Sequence, residues 1–335
     1  MGNDRLPPIV ARIFEQSHRW QSVTFKLGKF SLDDFSLNGK PLHFPLLSDI
    51  ETIEQPELLE FFTNTAPRLK SLRVLYYPGL SIPDNFPFKL IRHLEIVPDE
   101  IDMDDLFQLV PNLESLWITE YYTHQLADTK ICRTFPSLHT LTVTGRMFYA
   151  PRIFNDFEYK GFWFNHDPFM ELVQRSSFLL TTLSIQSLSI SDSNLVQLLR
   201  YFPTLRDFTL SDDQIEYEHS PITGQLIESL HASRTSSLRP QAEPLVPRLH
   251  SLTLDIGASA FPDNVVADMV CSRWVPSTVH YGNSVFSSME AKVPPIDCLR
   301  EFTMKFRNRE RPGDIYEPLD LLEKDGMRLV IRWKE

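Results

Sequence analysis

The sequence predicts an α/β fold built as a solenoid, with a parallel β-sheet on the concave side and helices on the convex side. Three observations carry that expectation. An apolar triplet of the form apolar-x-x-apolar-x-apolar recurs along the chain, its copies keep a near-constant spacing, and the stretches between them show helical periodicity. A repeat of 20 to 29 residues built on L-x-x-L-x-L is the pattern of leucine-rich repeats, and about 10 to 12 such repeats fit a chain of this length as an irregular solenoid.

The copies run in order. Trp20, Val23 and Phe25 open the series, and Leu47 with Ile50 gives a poor second copy. Leu69, Leu72 and Val74 follow, then Ile91, Leu94 and Ile96, then Leu113, Leu116 and Ile118, then Leu138, Leu141 and Val143. Leu180, Leu183 and Ile185 lead to Leu205, Phe208 and Leu210, to Leu249, Leu252 and Leu254, and to Leu299, Phe302 and Met304. First positions are separated by 27, 22, 22, 22, 25, 42, 25, 44 and 50 residues, so each of the three long gaps hides a degenerate copy or an insertion. In an extended segment successive side chains alternate faces, which turns the last two apolar residues of each triplet inward and their neighbours outward. No rung buries its apolar face alone, so stability comes from contact with the next rung.

Helices are expected between rungs. Leu195, Leu198, Leu199 and Phe202 lie at i, i+3, i+4 and i+7, with Ser191, Asp192 or Ser193 available as N-cap. Met103, Leu106, Phe107 and Val110 repeat that spacing, Val265, Val266, Met269 and Val270 approximate it, and Leu58, Phe61 and Phe62 give a shorter version. A proline stands two positions ahead of many rungs (Pro67, Pro111, Pro136, Pro203, Pro247) and is expected to end each helix, since it lacks an N–H and excludes helical angles from the residue before it. Many leucine-rich repeats place Asn or Cys three residues after the last apolar position. Here those positions are Tyr77, Asp99, Tyr121, Arg146, Asp213 and Gly257, so that side-chain ladder is absent. Residues 1–335 read as a single repeat domain with insertions near 145–168, 211–222 and 234–247.

Composition narrows the function. With 33 Lys+Arg against 44 Asp+Glu the formal charge is -11, which repels nucleic acid and anionic lipid at long range, and neither is expected as a partner. No run approaches the roughly 18 apolar residues of a membrane span, and the opening MGNDRLPPIV has no secretory pattern; a cytoplasmic or nuclear location is expected. Three dispersed cysteines, Cys132, Cys271 and Cys298, form neither a disulfide framework nor a C-x-x-C pair and are expected to be buried and reduced. Glycine is scarce at 11 residues and the glycine-rich phosphate, zinc-protease and hydrolase motifs are missing, so the chain reads as non-enzymatic with no cofactor. Asp99, Glu100, Asp102, Asp104 and Asp105 lack the glycine turn and terminal glutamate of a calcium loop and sit at a predicted helix start, where the dipole favours them, so no metal is expected.

The segment Gln16-Ser17-His18-Arg19-Trp20-Gln21-Ser22-Val23-Thr24-Phe25, the P-x-L-x-x-L-x-[LIV] rungs and the late Met269-Val270-Cys271-Ser272-Arg273 resemble the repeat region of fungal F-box proteins of basidiomycete type. In that family an N-terminal F-box docks an adaptor of a cullin-based ubiquitin ligase, and leucine-rich repeats hold the protein to be ubiquitinated. The resemblance implies substrate recognition. Leu6-Pro7-Pro8-Ile9 and Ile13-Phe14 are the only traces of an F-box start and none is detected ahead of His18, so a cullin adaptor is implied as partner only if an F-box is restored.

Candidate partner-binding residues lie on the outward strand face: Arg73, Glu95, Trp117, Thr119, Thr142, Ser184 and Asp207, with Tyr121 and Tyr122 just beyond Trp117. An outward tryptophan beside tyrosines is the residue type that anchors interfaces; the plainer reading packs Trp117 under a neighbouring loop. Arg73 and Glu95, on adjacent rungs, either meet a partner or pair with each other as solvated charges. The aromatic insertion 148–164 serves either as a partner-binding flap or as a local core, and closing over a pocket it would make a small-ligand sensor the alternative function. Three outward residues on each of ten rungs approach the ~800 Å² per partner of a standard protein interface.

Overall fold

Five of the described rungs begin with a tight turn that an apolar-Pro-x-Leu string dictates. The carbonyl of Phe44 accepts from the Leu47 N–H (3.2 Å), and the same bond recurs from Leu69 to Ala66 (3.2 Å), Leu138 to Phe135 (3.2 Å), Leu205 to Phe202 (3.1 Å) and Leu249 to Val246 (3.2 Å). Pro45, Pro67, Pro136, Pro203 and Pro247 stand second in these turns, where a fixed φ pre-sets the bend. Both apolar ends of each turn are buried. The proline thus shapes the turn itself, with the residue before it in the core, and where a described helix precedes it, at 108–109 and at Asp192–Leu199, that helix has ended before Pro111 and Pro203.

The computed structural model describes residues 8–25, 42–53, 59, 62–75, 85–97, 108–120, 135–145, 170, 173–174, 179–232, 244–257, 261–274, 296–307, 309 and 314–333, divided between two units, one up to Leu138 and one from His139. The first unit carries β1 (Ser22–Phe25), β2 (Asp49–Ile53), β3 (Ser71–Leu75), β4 (His93–Ile96) and β5 (Ser115–Glu120), each parallel to the next. The second carries β6 (Thr140–Gly145), β7 (Thr182–Gln186), β8 (Asp207–Ser211), β9 (Ser251–Ile256), β10 (Glu301–Phe306) and β11 (Arg328–Trp333), again parallel and in chain order. Both units are thus α/β or strand-rich segments of one repeating plan, and neither sheet closes into a barrel.

The register follows the triplets. Ile50, Leu72, Leu94 and Leu116 are direct neighbours in the first unit, and Leu141, Leu183, Phe208, Leu252 and Phe302 in the second. All nine are 2 % exposed or less, and each adds about 1.5–3 kcal/mol of gross burial. One carbonyl per rung receives two N–H groups of the next: the carbonyl of Lys70 accepts from Arg92 (2.8 Å) and His93 (3.0 Å), and that of Arg206 from His250 (2.8 Å) and Ser251 (2.9 Å). This shared acceptor fixes where each strand starts against its neighbour.

Among the described residues the second unit carries α2 (Asp192–Leu199), α3 (Gly224–Ser229), α4 (Asp263–Arg273) and α5 (Glu317–Lys324), with further helical residues at 170 and 173–174; α1 (Pro8–Glu15) belongs to the first unit. α2 is the helix expected from the 195–202 spacing, and its N-cap is Ser191, whose hydroxyl accepts from the Asn194 N–H at 3.2 Å. α4 covers the 265–270 periodicity but buries Val266, Ala267, Met269, Val270 and Arg273. The helices stack in chain order, α2 on α3, α3 on α4 and α4 on α5. The helix expected at 103–110 and two of the three expected insertions lie largely outside the described residues, which include only 108–110 of the first, 145 of 145–168 and 244–247 of 234–247; the third, 211–222, is described throughout and carries the short turn Tyr217–His219 after β8. Asp99, Glu100, Asp102, Asp104 and Asp105 are outside them too, and Cys271, expected in the core, is exposed.

Candidate protein-binding face

In the first unit the register sets Thr24, Glu51, Arg73, Glu95 and Trp117 side by side in one row. Strand alternation sends this row away from the buried Leu72, Leu94 and Leu116. Arg73 is its hinge: Nε lies 2.5 Å from Glu95 Oε2, Nη1 lies 3.6 Å from Glu51 Oε2, and Cζ sits 5.8 Å from the centre of the Trp117 ring. Thr24 donates its hydroxyl to Glu51 at 3.2 Å. Of the two readings open for Arg73 and Glu95, the structure shows them paired with each other.

That pairing does more for geometry than for stability. Arg73 keeps 41 % of its side chain in solvent, so the ion pairs contribute at most ~1 kcal/mol. A guanidinium held by carboxylates from both neighbouring strands is nonetheless fixed beside a half-buried indole, and an interface side chain already ordered costs less to bind. The row therefore offers a cation, an aromatic surface and a carboxylate in preset positions.

The remaining candidates fall into three groups. Thr119 follows Trp117 on the same strand but is buried, at 1 % exposure, and Glu95 is nearly so at 8 %. Tyr121 and Tyr122 lie outside the described residues. In the second unit Thr142 and Ser184 are register neighbours in a row of hydroxyls continued by Thr209, Thr253 and Thr303. Asp207 is exposed on the same face one row away, where Thr182 donates to it at 3.4 Å.

Sequence reasoning missed Glu51, because its rung was discounted as a poor copy; the Pro45-x-Leu47 string was the signal that restores it. It also missed a pocket of about 260 Å³ in the second unit, lined by Asp212, Asp213, Tyr217, Gly257 and Arg307 among others. Arg307 donates to Asp212 and Asp255 and lies 3.7 Å from Asp213. The buried Asp212 also accepts from the Gly257 N–H (2.7 Å) and the Ser220 hydroxyl (2.6 Å). These charges are spent on one another, tying the ends of β8, β9 and β10 together, and the cluster reads as a clamp.

No protein-family model matches the sequence, and no curated protein matches it with significance.

Proposed function

We propose that the chain is a leucine-rich-repeat solenoid acting as a non-enzymatic protein-recognition module, and that the outward row of the first unit is where the partner binds. The observation that carries this reading is the in-register alignment of Glu51, Arg73, Glu95 and Trp117, with the guanidinium braced between two carboxylates beside the indole. Tryptophan and arginine are the residue types that dominate binding energy at protein interfaces. The resemblance to F-box repeat regions favours a substrate of a cullin-based ubiquitin ligase as that partner. Among the described residues no helix is long and apolar enough to cross a membrane.

Affinity purification from the source cell, followed by mass spectrometry, tests both parts. A partner held by the parent chain and lost from the Arg73→Ala, Trp117→Ala double variant, at unchanged melting temperature, supports the face. Retention by the variant removes it. Recovery of a cullin adaptor with the parent chain supports the ligase reading, and a partner set without one leaves a recognition module outside ubiquitination.

A further inference from the structure

The last strand of the second unit is built like the others but is left half open. Register sets Leu329 beside Phe302 and Leu252, and Ile331 beside Met304 and Leu254. Those four neighbours in β9 and β10 have no exposed surface, whereas Leu329 and Ile331 are half-exposed. Trp333 is half-exposed as well, although its ring stacks on Phe306 with centroids 4.0 Å apart and planes 6° from parallel. Nearby in the chain, Leu321 of α5 is 61 % exposed and Ile315 is 42 % exposed.

The backbone repeats the message. Arg328 donates its N–H to the Arg300 carbonyl (2.8 Å), which commits alternate peptide groups of β11 to β10. Those of Leu329, Ile331 and Trp333 then face the other way, where β11 has no neighbour among the described residues.

Charge identifies what would fit. On the outward face the register puts Lys305 directly opposite Arg332, and both are exposed. Neither makes an ion pair among the described residues, and like charges opposed across a strand pair are unfavourable. Arg328, also outward, has only Glu301 at 3.4 Å, with 74 % and 48 % of the two side chains exposed. On β10 and β11, three cations against one carboxylate stand out on a chain of net charge -11; the next carboxylate, Asp255 of β9 beside Lys305, is bonded to Arg307. Two copies of this chain would not relieve the imbalance: antiparallel pairing centred on Val330 opposes Arg328 to Arg332 twice, and parallel pairing in register opposes each arginine to itself.

We propose that the free edge of β11 accepts an extended peptide of alternating acidic and apolar residues as an added strand. Its main chain bonds the peptide groups of Leu329, Ile331 and Trp333, its apolar side chains extend the row of Leu329 and Ile331, and its carboxylates lie against Arg332 and Arg328, with Lys305 one strand further in. This surface is separate from the outward row of the first unit and does not depend on it.

The test uses the full chain and a fluorescein-labelled peptide of about eight residues alternating Glu and Val, with a Lys–Val peptide as control, read by fluorescence anisotropy. The Glu–Val peptide is expected to bind and the control not to. Arg332→Glu is expected to weaken binding by about tenfold, since it turns an attraction into a repulsion. The melting temperature of that variant is expected to stay the same or rise, because the new carboxylate faces Lys305. Lys305→Glu, on the neighbouring strand, is expected to weaken binding as well, while its carboxylate, opposite Asp255 of β9, is expected to lower the melting temperature. Equal binding of the two peptides, no binding of either, unchanged affinity in both variants, or a lowered melting temperature in Arg332→Glu would overturn the proposal. A dimer seen by light scattering and dissolved by Arg332→Glu would assign the edge to a second copy and overturn it equally.

Discussion

Replacing Arg273 with methionine is expected to destabilise the second unit by about 2–5 kcal/mol. Arg273 has no exposed surface, yet its hydrogen bonds go to the carbonyls of Leu230, Val246 (3.2 Å) and Leu245 (2.5 Å). It thereby joins the end of α3 to the turn that opens β9. Three bonds from a charged donor contribute about 1.5–3 kcal/mol each before any cost is subtracted. The cost is desolvation, which lowers the arginine pKa to about 10 and so disfavours the charged form by about 3 kcal/mol. Methionine fills much of the same volume but leaves three carbonyls without their donor. Urea unfolding followed by the fluorescence of the adjacent, buried Trp274 measures the change as a lower midpoint at unchanged slope. Arg273→Lys is expected to fall between parent and methionine variant, because an ammonium cannot present a planar fork to three acceptors. A methionine variant within about 1 kcal/mol of the parent, or more stable than it, would refute the reasoning. The pH dependence has a definite sign. The folded pKa lies below the unfolded one, so the unfolded chain binds more protons above about pH 10, and this group's contribution rises with pH there.

Tyr316 carries the opposite sign. Burial, with its 2.6 Å hydrogen bond to Asp263, raises the phenol pKa, so this group's contribution to stability is full below the ordinary tyrosine range and is lost as pH rises above it. Ultraviolet titration should show the folded parent ionising no more tyrosines than the Tyr316→Phe variant, although it has one more. Asp212→Ala removes the buried carboxylate that Arg307, Ser220 and the Gly257 N–H share; a loss of about 3–5 kcal/mol and faster amide exchange across 211–222 are expected. Gly145→Ala would put a Cβ 2.1 Å from the Ser187 carbonyl oxygen, so β6 or the turn after β7 must shift, and a clearly lower melting temperature is expected.

Where the sequence failed, the reasons are physical. The second rung looked weak because Thr52 occupies its third apolar position; the side chain is 99 % buried all the same, at 1 % exposure, since a threonine methyl fills a strand's inward site. β11 has no proline turn and no leucine triplet ahead of it, only the alternation of Leu329, Ile331 and Trp333, which is too short to separate from chance. The rungs that were legible share one property, a full apolar triplet, which fixes both register and face. The site was legible only where it rides on those rungs: Arg73, Glu95 and Trp117 fell into one row because their triplets aligned. Burial of Thr119 and Glu95 depends on neighbours that no single-rung pattern contains. The Asp212–Arg307 clamp joins residues 95 apart in the chain, so no local spacing announces it.

Site-specific photocrosslinking tests the recognition claim most directly. A benzophenone amino acid at Ser71, on the outward face of β3, should trap the purified partner, while the same group at the exposed Arg200 beyond α2 should not. Cross-links from position 200 and none from position 71 would contradict the assignment of the partner to the outward face of the first unit.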